Sequence, residues 1–453
     1  MCDNLQNEWG VKLIQNNIKT RNSINEHINQ VEIINTMNDL CSPFEVDCFQ
    51  ISGTSANFYA IGEASCNNME NTLVACGSYV SGEKSAQFRA WSSSNTDITK
   101  ELSLIETRKD YLLEAALKQT IPLPYYIRCD DINELELQEY ETLCFNELNR
   151  RCILEMSRGN KPSCLFMEIM LAGSGATIRD EFLTKLGKLC KSLKINIVVD
   201  EVMTSVRTGN MLLTNDVPLE FQEVVSHITI GKWFGRGCVL RNKKHIFVQG
   251  PKEVETSLNH RGPSNALSHK ETLGYVRSLH QAIVSVSNRR KQVIRRCKLD
   301  DKNTWGKGCM IFSTKTMKNN FQGLKCRYLP QLCECLPIDF SSGGHVKWTK
   351  TDLCRQTMER VKEWIKISYQ QTNHIDRLFL NQLEHIHNSQ NTEDKYFHAS
   401  SLKYQIKESI ENCQKKDVSA FIDRLNKIGL IRIKRKGASR IRSIVFVENK
   451  WNF

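Results

Sequence analysis

From about residue 45 to residue 240 the apolar positions of this chain follow two alternating rhythms. Short apolar runs lie at Val46 to Ser52, Leu73 to Cys76, Leu165 to Met170, Ile195 to Val199 and His227 to Ile230. Each is four to seven residues long and bounded by polar or glycine-containing segments, so each predicts a buried strand. Helical patterns fill the gaps. Over 26–41, Ile28, Val31, Ile34 and Met37 recur every three residues, one stripe of a helix. Ala56 to Ala64 carries a helical pattern, as do stretches near 108–118 and 134–156. Asp180–Leu193 places Phe182, Leu183, Leu186, Leu189, Cys190 and Leu193 on one face, with an acid at its start and Lys194 at its close, as the helix dipole favours. Strand and helix in alternation predict an α/β fold, a mostly parallel sheet with helices on both faces.

Beyond residue 240 the rhythm changes. Glu271–Arg296 predicts one long helix, Trp305 to Thr314 a strand, and 350–368 a helix capped by Thr351 or Asp352. This block has the pattern of a smaller α+β domain. Residues 370–400 are rich in Asn, Gln and His and read as a linker. The last block predicts helices at Ser401–Cys413 and at Asp417–Ile428, the second with Val418, Phe421, Ile422, Leu425 and Ile428 on one stripe and Gly429 at its end. IRIKRK and RIRSIVFVE then form two strands about the polar turn Gly437-Ala438-Ser439. Two helices and a basic hairpin are the layout of a winged helix, whose recognition helix enters the major groove while the hairpin touches the backbone. The expected organisation is a polar tail and helix over 1–40, a large α/β domain over 41–255, a small α+β domain over 256–369, a linker over 370–400 and a winged-helix-like basic domain over 401–453.

Length and composition narrow this picture. At 453 residues the chain exceeds what one core holds, in keeping with several domains. No apolar run is long enough to span a membrane, and the start, MCDNLQNEWG, has no basic-then-apolar signal pattern, so a cytoplasmic location is the default expectation. The 18 cysteines are then expected as reduced thiols rather than a disulfide framework. Cys326, Cys333 and Cys335 with His345 fit no common zinc spacing, and no metal is expected. Of the net charge of +12, residues 401–453 hold 13 Lys and Arg against 5 Asp and Glu. A basic terminal unit suits a polyanion such as nucleic acid, which would allow a nuclear location. The same charge also suits a merely solvated face.

The candidate chemistry sits at strand ends. KINIVVDEVMTSVRTGN closes one apolar run with Asp200 and Glu201, and SHITIGKWFGRG closes the next with Gly231-Lys232. In open α/β sheets, ligands gather at the carboxyl ends of the strands, so one carboxylate and one amine are expected at one edge. An acid beside a heterocyclic nitrogen and a lysine able to form a Schiff base are the requirements of a pyridoxal-phosphate site. Ser52-Gly53-Thr54, a turn from a strand into a helix, would offer free N–H groups to a phosphate. Tyr79, after another strand end, could stack on a flat ring.

SGTSAN, then Tyr79, then Glu168 with Gly173 and Gly175, then DEVMTSVRTG, then TIGKWFGRG follow the order found in class III aminotransferases. Over residues 26–368 the chain resembles that family of fold-type-I pyridoxal-phosphate enzymes, and DEVMT with Arg207 is similar to its glutamate-1-semialdehyde aminomutase branch. The resemblance implies that Lys232 forms the Schiff base and shuttles a proton, and that Asp200 pairs with the pyridine nitrogen. Gly53 and Thr54 would bind the phosphate and Tyr79 would stack on the ring. Glu168 and Glu201 match family acids near the cofactor. Family members are homodimers in which a hydroxyl from the neighbouring subunit touches the phosphate; Ser264 in NHRGPSNALS is the candidate here, with Arg261 as a charged substitute. The implied reaction is that of an aminotransferase or aminomutase acting on an amino acid or an amino-aldehyde or keto substrate. The family's acid in SGTEAN is Ser55 here, its histidine after the stacking aromatic is Val80, and its N-terminal portion is mostly absent ahead of residue 26. The cofactor site is thus better kept than the substrate site. That leaves two alternatives: a regulator or DNA-associated pseudoenzyme that uses the winged helix, and a scaffold without either activity.

Overall fold

The computed structural model describes residues 21–50, 52–66, 72–75, 120–157, 161–172, 174–233, 236–243, 245, 269–314, 338–339, 349–371, 396–398, 415–427, 431–435 and 442–446. The helices predicted near 108–118 and at Ser401–Cys413, and the group Cys326, Cys333, Cys335 and His345, lie outside these residues.

Seven strands form one sheet: β1 (Phe44–Gln50), β2 (Thr72–Ala75), β3 (Thr120–Ile121), β4 (Cys164–Met167), β5 (Asn196–Asp200), β6 (Val225–Gly231) and β7 (Gly237–Asn242). Their order is β1-β7-β6-β5-β4-β2-β3. β3, β2, β4, β5 and β6 are parallel, and β7 runs antiparallel to both β6 and β1. β1 therefore points the same way as β6, and the exits of β1, β4, β5 and β6 share one edge of the sheet. The expected α/β class with a mostly parallel sheet is what the chain adopts.

The unbroken apolar strands follow from cover on both faces. Successive side chains of a strand point to opposite faces. Val74, Cys164, Phe166, Val198 and Val239 pack under Ala56, Ala60, Ile61 and Ala64 of α2 (Gly53–Ala64), whose small residues let it lie close to the sheet. The intervening Ala75, Leu165, Met167, Ile197, Val199, Ile228, Ile230 and Leu240 face the larger core. That core also takes in Phe182, Leu183 and Leu186 of α4 (Asp180–Leu193) and residues of α3 (Glu134–Ser157). Lys194, in the left-handed conformation at φ 56°, ends α4 as predicted. α5 (Leu219–Gln222) is a single turn before β6.

α1 (Arg21–Cys41) corrects the predicted stripe. Among its described side chains, 31–41, the buried ones are Ile33, Met37 and Cys41, four apart, with the predicted Ile34 half-buried against the same core, while Val31 is exposed and Ile28 lies outside the described side chains. A spacing of three drifts by about 60° per step around a 3.6-residue helix and a spacing of four by about 40°, so the latter stays nearer one face; α1 packs against α6 (His269–Arg296). The predicted strand over 305–314 is instead a hairpin of β8 (Thr304–Trp305) and β9 (Phe312–Ser313), with β10 (Ile338–Asp339) beside β9. Gly306 and Gly308, at φ 91° and 59°, reverse the chain between its arms. The cap of α7 (Lys350–Gln371) is Thr349, whose Oγ1 accepts from Asp352 N–H at 3.1 Å, while Asp352 accepts from Thr349 N–H at 3.0 Å. Asp352 thus closes a reciprocal box, and Thr351 donates instead to Asp131.

Toward the C-terminus, β12 (Ile431–Arg435) and β13 (Arg442–Phe446) form the predicted hairpin, after α8 (Lys415–Lys427). Val418, Ile422 and Leu425 of α8 and Ile431 are buried. An unpredicted strand, β11 (Tyr396–His398), pairs antiparallel with β13, so the sheet order is β11-β13-β12. β11 lies within the stretch read as a linker; three residues are too few to show a period.

No described helix is long and apolar enough to cross a membrane. Among the described residues no cluster of three or more metal-binding side chains occurs, and core cysteines such as Cys41, Cys164, Cys190 and Cys238 are free thiols.

Candidate active site

Three strand exits and one helix start converge on a single edge. β1 leads into α2 through Ser52, which caps the helix: Ser52 Oγ accepts from Ser55 N–H at 3.1 Å and Ser55 Oγ accepts from Ser52 N–H at 3.0 Å. Ser55 therefore completes the capping box that a longer acid can also form. Among the described residues no acceptor faces the N–H groups of Gly53 and Thr54 at the positive end of this helix. Two close approaches hold the helix start in place. A Cβ on Gly53 would lie 2.6 Å from Val202 Cγ1, and one on Gly237 would lie 2.1 Å from the Ser52 carbonyl oxygen. Gly237 is paired to Gln50 on one side and to Gly231 on the other, so β7 locks the exit of β1 to the exit of β6.

Asp200 ends β5 and is buried. Its Oδ1 accepts from Val202 N–H at 2.8 Å and its Oδ2 from Asn57 Nδ2 at 2.7 Å. Burial pushes its pKa up to about 6, against the opposing pull of these two donors and of the nearby Lys232 charge. Lys232 follows β6 directly and is exposed, with φ 59°. That conformation costs a non-glycine residue about 1 kcal/mol or more, which the surrounding structure supplies. Trp233 N–H turns back onto the Gly231 carbonyl, and the Trp233 ring is fully buried, anchoring the turn that presents the lysine. The carboxylate and the amine, 32 positions apart in sequence, are thus delivered by adjacent parallel strands to within electrostatic reach of each other.

The two glutamates have different surroundings. Glu168 directly follows β4; its Oε2 accepts from Ala172 N–H at 2.7 Å and its carbonyl from the Tyr125 hydroxyl. It closes the turn that leads to Gly175 and so shapes the rim of the edge. Glu201 is wholly buried and accepts from Leu213 N–H at 2.6 Å, Thr214 N–H at 2.8 Å and Thr214 Oγ1 at 2.6 Å. Burial, helped by the Asp200 charge, pushes its pKa up to about 7. Its carboxylate pins the 213–216 turn and makes no hydrogen bond to the edge that holds Asp200. Arg207 stands in the segment after β5, where its carbonyl accepts from Cys309 N–H at 2.7 Å and so ties the large sheet to the β8–β9 turn. Tyr79, Ser264 and Arg261 lie outside the described residues.

Two residues of the site carry no expectation from sequence. Asn57 is buried one turn into α2, and its Oδ1 accepts from Thr229 Oγ1 at 2.6 Å while its amide donates to Asp200. Thr229 is paired with Asp200 across β5 and β6. The available signal was the last letter of SGTSAN, a polar residue on the apolar face of a helix.

No model of a known protein family matches the chain, and no curated protein matches its sequence. Solved structures do. A lysine aminotransferase from M. tuberculosis in the internal aldimine form is 15% identical, over 63% of this chain and 66% of that one, at a TM-score of 0.42. A Bacillus anthracis aminotransferase is 14% identical over 62% and 64%, at 0.39. A thermostable omega transaminase variant from Pseudomonas jessenii is 12% identical over 62% and 64%, at 0.43. The matched region spans a little less than two thirds of each of these proteins.

Proposed function

We propose that the chain is a pyridoxal-phosphate-dependent aminotransferase that moves an amino group between small amino and keto or aldehyde compounds, with intramolecular transfer, as in an aminomutase, as the finer variant. The observation that carries this reading is the delivery of Asp200 and Lys232 by neighbouring parallel strands to one edge, beside a helix start with uncommitted N–H groups. The residues fit the cofactor. Gly53 and Thr54 offer donors where a phosphate needs them. Asp200 is a buried carboxylate whose pKa burial has raised, so a cationic ring nitrogen would relieve its cost. Lys232 would hold the cofactor and then move a proton at its Nζ. Glu168 would shape the rim through its turn. The cofactor, when bound, supplies the electron sink that lets a proton leave the substrate carbon. Tyr79 as the stacking ring, and Ser264 from a second subunit of a homodimer as a phosphate contact, belong to the same proposal. The reading is tested by spectral titration of the cofactor-loaded protein with a panel of amino acids and ω-amino compounds. Conversion to the pyridoxamine spectrum by one of them supports transfer; an unchanged spectrum across the panel overturns it.

A second reading concerns the C-terminal sheet. β12 carries Arg432, Lys434 and Arg435, and the pairing sets Arg435 directly opposite Arg442. Basic residues concentrated on one strand suit a polyanion. We read this hairpin, with α8, as a nucleic-acid contact of winged-helix type. Fluorescence anisotropy with duplex DNA should show affinity falling at least tenfold between 50 and 200 mM salt, roughly the slope expected for several phosphate contacts. Equal binding by a chain ending at residue 395 would remove the idea.

A further inference from the structure

Asp200 is held by more than its own strand. Its neighbours across the sheet and above it form a chain of hydrogen bonds from Thr229 Oγ1 to Asn57 Oδ1, at 2.6 Å, and from Asn57 Nδ2 to Asp200 Oδ2, at 2.7 Å. We propose that Asn57 and Thr229 are a positioning pair that fixes both the rotation and the ionised state of the Asp200 carboxylate. The inference rests on the reading of Asp200 as the partner of the cofactor ring nitrogen.

An amide has one donor end and one acceptor end of nearly the same shape, so its rotation must be set by its partners. An ionised Asp200 accepts only, and so selects the Nδ2 end. Thr229, a β-branched residue fixed in a central strand, then offers its hydroxyl proton to the Oδ1 end. A turned amide would set its oxygen against the carboxylate. All three side chains are buried, so a lost partner is costly. The Val202 N–H holds the other oxygen, Oδ1. Each carboxylate oxygen keeps one further acceptor site, and the carboxylate cannot rotate without losing a bond. Among the described residues the charged groups coupled to Asp200 are Lys232, from the exit of β6, and Glu201, the residue just after β5. Lys232 stabilises the ionised form of Asp200, and the ionised Asp200 in turn raises the pKa of Glu201.

The sign follows. Burial raises the folded pKa of Asp200 above its unfolded value, so its contribution to stability is present at low pH and lost as pH rises from about 4 through about 6. Removing the amide donor raises that pKa further and carries the loss to higher pH. The ring nitrogen requires the ionised form, so cofactor binding should strengthen as pH rises through the same value.

The test uses Asn57→Ala, Thr229→Val, Thr229→Ser and Asp200→Asn in the full chain, with two readouts. The first is pyridoxal-phosphate affinity as a function of pH. Asn57→Ala should raise the pH midpoint by about one unit, the size of one charged hydrogen bond, and so weaken binding about tenfold near pH 5 and little at pH 7.5. Thr229→Val should move the midpoint the same way by less, and Thr229→Ser should restore it. The second readout is thermal unfolding of the cofactor-free protein across pH 4–8, with Asp200→Asn as the baseline that lacks this titration. There Asn57→Ala should move the pH-dependent loss to higher pH. Where the wild type binds the cofactor, binding midpoints of Asn57→Ala and Thr229→Val equal to that of the wild type, or a pH-dependent unfolding loss of Asn57→Ala, taken against that baseline, equal to that of the wild type, would overturn the proposal. A wild type that binds no cofactor at any pH overturns the parent reading instead, and the positioning pair is then judged by the unfolding profiles.

Discussion

Asp200 and Glu201 are adjacent, buried and acidic, yet the chain uses them oppositely. Successive residues of a strand face opposite sides, so one carboxylate meets Asn57 and the other meets the 213–216 turn. Asp200→Asn removes the charge but keeps the shape. It should weaken cofactor binding by about 1.5–3 kcal/mol, the worth of a hydrogen bond to a charged group, measured by equilibrium titration. Glu201→Ala strips partners from two buried N–H groups and should destabilise the fold by about 2–4 kcal/mol in denaturant unfolding. Its effect on cofactor affinity should be the smaller of the two. Part of this was legible in the sequence. Asp200, Lys232 and Gly53 stood out because each ends or begins an apolar run. The destination of Glu201 was not legible, because a single step of alternation decides it and the 213–216 turn has no pattern of its own. Asn57 and Thr229 carry no distinguishing signal for a related reason: each is one of several polar residues in its element, and only the packing of α2 on β5 and β6 gives it a partner.

At the level of elements, the helix start depends on contacts as close as the backbone allows. Gly237→Ala would drive a methyl group into the Ser52 carbonyl and separate β7 from the capped turn. Calorimetry should show a loss of about 1–3 kcal/mol, the usual cost of overpacking, together with weaker phosphate binding. Ser52→Ala should cost about 1 kcal/mol through the lost cap. Ser55→Glu should be nearly neutral, because a longer acid can close the same box. The elements with long, regular patterns were read well: α4 has the predicted ends, and β5 and β6 lie within about two residues of theirs. The failures were local. The stripe of α1 was read with the wrong spacing, two glycines folded one predicted strand into a hairpin, and β7 and β11 gave no separate signal. β7 begins within the glycine-rich turn after Lys232, so its opening residues read as loop.

For the whole molecule, the sheet order matters more than any single contact. Because β7 is reversed, β1 runs parallel to β6, and the capped start of α2 arrives beside Asp200 and Lys232 rather than at the opposite edge. The alternation of strands and helices made the α/β class legible, but the sequence has no means of stating strand order, which is settled by long-range pairing. Two buried acids with raised pKa values also give the cofactor-free protein a distinctive pH response. Each favours the folded state most when protonated, so their joint contribution is lost as pH rises from about 4 through 6 and 7. The double variant Asp200→Asn, Glu201→Gln should therefore show a flatter melting profile than wild type over that range; an equally steep profile would assign the loss to other groups. The central claim is that the amine of Lys232 and the carboxylate of Asp200 serve one bound pyridoxal phosphate. Borohydride reduction of the cofactor-treated protein, followed by peptide mass spectrometry, tests it most directly. The expected result is one dominant covalent pyridoxyl adduct, on Lys232, absent from Lys232→Ala and reduced in Asp200→Asn. Adducts spread over surface lysines alike in wild type and Lys232→Ala would contradict it.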